Sequence, residues 1–225
     1  IYSNGTTGHS RILFSDTAAS SGDGYINYSH TDRALTFTTA GTSNERLRLT
    51  SGGQVRIGNA NNLALWGQNQ RLQVAGSGSW SDSGITIACM STTGQTPNLV
   101  FGASRGATPG TALNNGDRLG YISFVGDDGT DMATVGAAIV SGTDAAASSN
   151  SISGTLQFYT GGNQSSNERL RITSDGKIGV DVSAPKSRLH LGASQDIRIG
   201  GQYGGMATMQ QQVQYSSGYT GTHWQ

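Results

Sequence analysis

The residues in this chain that could do chemistry are few and scattered. Gly102-Ala103-Ser104-Arg105-Gly106 has the Gly-x-Ser-x-Gly spacing of a nucleophile elbow, which needs a strand before the serine and a helix after it. Ala107-Thr108-Pro109-Gly110 follows instead and breaks a helix, so hydrolase chemistry is not expected there. Asp127, Asp128 and Asp131 cluster in a glycine-rich turn but lack the ligand spacing of a known Ca²⁺ loop, which favours a solvated turn. His9, His30, His190 and His223 are far apart, with no paired spacing for zinc; His190 falls in the outward alternation of its strand and reads as a surface residue. A glycosidase needs two carboxylates at a set separation in space, and a choice among Asp23, Asp82 and Asp117 would be arbitrary. Neither a catalytic residue, a cofactor site nor a metal site is assigned. Arg46, Arg48, Arg169 and Arg171 could hold an anion, but Glu45 and Glu168 stand beside them, which points to a solvated or inter-chain ion-paired face. Trp66, Trp80, Tyr203, Tyr219 and Trp224 lie in Gly/Ser-rich, loop-like stretches. They are weak candidates for stacking on a sugar, against packing at module junctions or between chains.

The elements that must position these residues are organised around a stretch that occurs twice. Asn44-Glu45-Arg46-Leu47-Arg48-Leu49-Thr50-Ser51-Gly52-Gly53-Gln54-Val55-Arg56-Ile57 returns 123 residues later as Asn167-Glu168-Arg169-Leu170-Arg171-Ile172-Thr173-Ser174-Asp175-Gly176-Lys177-Ile178-Gly179-Val180. Alternation with period two predicts a strand with Leu47 and Leu49 on one face and Arg46, Arg48 and Thr50 on the other. A glycine turn and a second alternating run complete a β-hairpin.

Composition explains why such hairpins need company. Gly, Ser and Thr make up 86 of the 225 residues, while 34% are hydrophobic (Gly not counted) and 12% charged; globular domains average roughly 45–50% apolar, a count that includes Gly, and about 25% charged. A chain with so few large apolar groups offsets its conformational entropy poorly on its own. High net charge would mark disorder, but the formal net charge is +0 and the apolar alternation is regular. The expectation is an ordered, all-β, obligate oligomer. Fourteen basic and fourteen acidic residues leave no basic surplus for nucleic acid. No apolar run approaches the roughly 18 residues of a membrane span, so no membrane insertion is expected. Starting at Ile1 without a signal pattern, the sequence reads as a fragment or processed product. Cys89 stands alone and reads as a small buried hydrophobe.

In chain order, strands are expected at 11–14, 25–30 and 34–39, then the first hairpin. Others are expected at 71–74, 84–88, 98–101, 119–124, 133–140 and 154–159 before the second hairpin, and at 188–191 and 196–199 after it; Met206 to Val213 holds one helical turn or two at most. The expected units are 1–62, a first β module closed by its hairpin, 63–187, a longer second module closed by the repeat, and 188–225, the start of a third module or a C-terminal cap. After each hairpin the chain restarts on Arg71-Leu72-Gln73-Val74 or Arg188-Leu189-His190-Leu191, the second after a connector six residues shorter that contains Pro185.

The Asn-Glu-Arg-Leu hairpin, the proline-containing connector and the Arg-Leu-His-Leu restart resemble the repeated unit of bacteriophage tail-fibre shafts. The runs Phe101 to Gly110 and Gly116 to Thr130 resemble such fibres too, and the resemblance reaches to about Gly200. The family's usual Gly-Ile-Gly-Thr ending is replaced by Arg56-Ile57-Gly58-Asn59 and Gly179-Val180-Asp181-Val182. In that family the unit often precedes an endosialidase-type intramolecular chaperone; none is recognisable here, and self-cleavage is not expected. The resemblance implies an elongated, repeat-built homotrimeric fibre of short strands and hairpins around a three-fold axis, intertwined or side by side. It implies a virion component, a non-enzymatic shaft or distal tail-fibre segment. Its partners would be other tail-fibre or baseplate proteins and a bacterial surface glycan or protein. The alternatives are a tailspike fragment that cleaves polysaccharide and a bacterial adhesin.

Overall fold

The computed structural model describes residues 8–16, 23–41, 44–58, 61–65, 67–76, 80–107, 109–161 and 167–193. Among these the chain is all-β, with two six-stranded sheets, a two-stranded ribbon and one short 3₁₀ turn, Trp80–Ser83.

The first sheet is an antiparallel meander of β1 (His9–Phe14), β2 (Gly24–Ser29), β3 (Ala34–Thr39), β4 (Glu45–Leu49) and β5 (Val55–Ile57). The ribbon β6 (Ala64–Leu65) and β7 (Gln68–Asn69) follows, and β8 (Leu72–Val74) then returns to lie parallel to β5. The second sheet has the same plan: β9 (Arg118–Gly126), β10 (Thr134–Thr143), β11 (Gly154–Thr160), β12 (Glu168–Ile172), β13 (Ile178–Val180) and a parallel β14 (Leu189–Leu191). The restart strand of the sequence thus pairs back onto the hairpin before it. Val55 N–H donates to Arg71 O at 2.7 Å and Ile178 N–H to Arg188 O at 2.9 Å.

Turn chemistry makes the two hairpins superimposable in pattern. Thr50 and Gln54, like Thr173 and Lys177, bracket a turn in which the threonine hydroxyl accepts from the backbone N–H four residues on, at 3.1 and 3.0 Å. Gly53 (φ 74°) and Gly176 (φ 77°) take the left-handed conformation that closes it, at little cost only for glycine. One close approach has been solved twice, in different ways. Gly58 stands at φ 84°, where a Cβ would lie 2.4 Å from Ala75 O. In the second sheet the matching pair is Asp181 (φ 52°) and Gly192, and there the glycine is on the other strand, with a Cβ position 2.8 Å from Asp181 O.

Two expected strands are not formed. Residues 84–88 and 98–101 lie in a stretch with no assigned strand and no exposure below the highest class, because no described segment of the chain hydrogen-bonds to them. The expected strand 196–199 and the helical turn at 206–213 fall outside the described residues.

Candidate self-association face

Following the register across each sheet yields unbroken rows of like side chains. In the first sheet one row runs Ile12–Ile26–Phe37–Leu47–Ile57–Val74, and the next runs Ser10–Tyr28–Leu35–Leu49–Val55–Leu72. In the second they run Ile122–Ile139–Phe158–Leu170–Val180–Leu191 and Gly120–Ser141–Leu156–Ile172–Ile178–Leu189. The opposite face of the first sheet carries Arg11–Asn27–Thr36–Arg48–Arg56–Gln73.

On the first sheet exposure largely opposes polarity, whereas the second sheet buries a small apolar cluster, Val135, Ala138 and Val140, on the face away from its apolar rows. Thr36 is 4% exposed and Ser29 3%, whereas Leu72 is 57% and Phe124 56% exposed on the apolar faces. Among the described residues the buried hydrophobic ones are Tyr25, Ala34, Ala75, Leu113, Val135, Ala138 and Val140, and no large side chain is fully buried. Contiguous apolar faces of this size mark association surfaces rather than ordinary protein exterior.

Polar groups on these faces hydrogen-bond to one another, as most buried polar groups do. Arg11 Nε donates to Asn27 Oδ1 at 3.0 Å, and Asn27 Nδ2 to Thr36 Oγ1 at 3.3 Å. The connectors close one end of each face: Leu63 N–H donates to Gln73 Oε1 at 3.1 Å, and Lys186 N–H to His190 Nδ1 at 3.3 Å. His190 is consequently half-buried, not the surface residue expected.

The repeated motif acquires a role at nearly every position. The amides of Asn44 and Asn167 donate to Ala40 O and Gly161 O, shaping the loop before the hairpin. Arg46 is the extra residue of a bulge, since Leu47 faces Phe37 while Glu45 faces Thr38; the same irregularity recurs between Phe158 and Tyr159. The bulge puts Glu45 and Arg48 on one face although they stand an odd three positions apart. Arg48 then clamps Glu45 through Nε at 2.7 Å and a terminal nitrogen at 2.6 Å, and Arg171 clamps Glu168 at the same two distances. These hydrogen bonds hold both guanidinium groups above their ordinary range. The expectation of a solvated or inter-chain ion-paired arginine face is therefore corrected for Arg48 and Arg171, which are ion-paired within the chain, whereas Arg46 and Arg169 are exposed. Tyr159 joins the second cluster, its hydroxyl donating to Gln157 Oε1 at 2.6 Å and lying 3.1 Å from Glu168 Oε2. Burial first, and the Glu168 charge next, raise its pKa. Beside it a groove of about 330 Å³ opens on the polar face, lined by Arg118, Asp144, Gln157, Tyr159 and Arg171.

Other sites expected from the sequence have plain structural uses. Asp127 and Asp131 each accept a backbone N–H two residues on, at 2.8 Å. Asp128 accepts the Thr134 hydroxyl and the Thr130 N–H, which lower its pKa. Among the described residues no three of His, Cys, Asp and Glu converge as a metal site would require. Ser104 Oγ donates to Thr111 O at 3.3 Å, and no helix follows it. Of the aromatic candidates, Trp80 opens the 3₁₀ turn, while Trp66, Tyr203, Tyr219 and Trp224 lie outside the described residues. Sequence reasoning missed the groove and the bulge; the signal for the latter was Glu-x-x-Arg inside an alternating strand.

A five-strand meander with a parallel sixth strand, repeated in two sheets, defines an all-β protein. The fold is that of a bacteriophage tail-fibre carboxy-terminal domain. The chain is similar to the bacteriophage T5 L-shaped tail fibre carboxy-terminal domain solved with its intramolecular chaperone domain, at 12% identity and TM-score 0.53, over 94% of this chain and 64% of that one. It also matches the same T5 domain solved by itself, at 13% identity and TM-score 0.48, over 89% and 88% of the two chains. The chain thus spans under two thirds of the longer T5 structure. No protein-family model and no curated protein matches it.

Proposed function

We propose that the chain is a segment of a phage tail fibre, a structural component of the virion that attaches it to the host cell surface. Three copies associate through their apolar faces. The observation that carries this reading is the exposure of the apolar rows on both sheets, with Leu72 57% and Phe124 56% exposed. Three such faces turned toward one axis gain the core that each lacks alone. The glycine- and serine-rich turns then stay at the surface, where they meet a bacterial surface glycan or protein. The tail-fibre fold of its structural neighbour supports the same reading.

The role is mechanical and adhesive, without catalysis. Incubation of the purified protein with bacterial capsule or lipopolysaccharide tests this, with no oligosaccharide expected in the supernatant; sustained release would establish a polysaccharide-cleaving tailspike instead. Fluorescently labelled protein is expected to decorate intact cells of a susceptible strain. Loss of binding after periodate treatment assigns a glycan receptor, and loss after protease treatment a protein one.

A further inference from the structure

Residues 84–107 are the part of the described chain least explained by its own fold. Ile85, Ile87, Leu99, Val100 and Phe101 alternate or cluster as strand residues do, yet all are exposed, Val100 at 82% and Met90 at 98%. No backbone–backbone hydrogen bond joins residues 84–101 to another described residue. Unpaired backbone and bare apolar side chains each carry a cost, and here they fall on the same residues.

The two ends of the segment are anchored. At its start Asp82 packs against Gly76, whose Cβ position lies 2.1 Å from Asp82 Cβ. At its end Arg105 forms a bidentate pair with Asp117 at 2.7 and 3.1 Å. Phe101 fills the place that Gly120 leaves without a side chain, its Cβ 3.0 Å from where a Gly120 Cβ would stand. Gly120 belongs to an apolar row of the second sheet, so the segment departs from the very face assigned above to association.

We propose that residues 84–100 cross to a second copy of this chain and run in strand conformation against the apolar rows of its second sheet. Ile85, Ile87 and Leu99 would cover Ile122, Leu156 and Ile172 of that copy. Each copy offers one donor segment and one acceptor face, which is a head-to-tail relation that closes as a ring. The occupant is therefore another copy rather than a foreign protein. This inference rests on the self-association reading and makes the assembly intertwined rather than side by side.

Cys89, the one cysteine in the chain, reports on the segment without mutation. In the native assembly its thiol is expected to react with Ellman's reagent about tenfold more slowly than in guanidinium-unfolded chain, as for a group exposed only by opening. Equal rates in a sedimenting trimer would overturn the inference and leave the trimer standing. A monomer in the same sedimentation run would overturn the reading beneath it. Replacing Met90 with the photo-crosslinker p-benzoylphenylalanine identifies the acceptor. Irradiation is expected to give adducts of two chains mapping within residues 118–191; adducts confined to one chain, or mapping elsewhere, would contradict it.

Discussion

Glu45 and Glu168 each hold one arginine in a two-pronged clamp on a face shared with small polar residues. The side chains of both clamps are about one-fifth exposed, so water weakens but does not abolish the attraction. Glu45→Gln and Glu168→Gln should each cost about 1 kcal/mol in thermal or denaturant unfolding, with similar values at the two sites because the register is the same. Loss of less than about 0.3 kcal/mol at both would relegate the clamps to decoration. Asp175 differs between the repeats, since Gly52 occupies its place in the first. The Lys177 ammonium, and then the Thr173 hydroxyl, lower its carboxyl to about 2 from 3.8. A carboxyl depressed by folding stabilises the fold fully above its unfolded value and loses that contribution as pH falls through the folded one. The contribution should therefore fade between about pH 4 and pH 2, and only in the second hairpin. Carbon-13 titration of the side-chain carboxyl should give a midpoint well below 3.8, and a midpoint at or above the ordinary value would refute the assignment.

At the scale of elements, alternation was enough to find most strands, because leucine, isoleucine and phenylalanine at every second position leave little choice of period. The hairpins were legible to the residue, since Thr50 to Gln54 and Thr173 to Lys177 spell their turns. The bulge at Arg46 was not, because it depends on what Thr38 faces across the sheet. The parallel pairing of Leu72–Val74 with Val55–Ile57 was hidden for a similar reason, as a connector of fourteen residues says nothing of direction. Residues 84–88 and 98–101 carry the strand pattern without a strand in the chain, since a pattern specifies side-chain alternation but supplies no hydrogen-bonding neighbour. The polar groove drew residues from β9, β10, β11 and β12 together with the loops beside them, and no local motif announces such a convergence. Among the apolar rows, Leu170 and Ile172 sit mid-sheet on β12. Replacing both with Ser removes apolar surface from the association face while leaving the turn and the Glu168 clamp intact. The expected product is a monomeric, protease-sensitive chain in sedimentation and limited digestion; a stable mutant oligomer would show that this face is not buried.

At the scale of the whole molecule, the described sheets leave their long apolar rows open, while small polar side chains share the buried positions with Tyr25, Ala34 and the Val135, Ala138 and Val140 cluster. A chain more than a third Gly, Ser and Thr cannot fill a core for each sheet, and the small polar side chains instead satisfy one another within it. What the isolated chain lacks is a cover for Ile12 to Val74 and Ile122 to Leu191, and under the proposed function copies of itself would supply one. The central claim, that these faces meet around a common axis, is tested most directly by sedimentation equilibrium of the full chain at micromolar concentration. The predicted mass is about three times that of the 23.3 kDa chain, unchanged on dilution, as for an obligate assembly. A single species at 23.3 kDa would contradict the account.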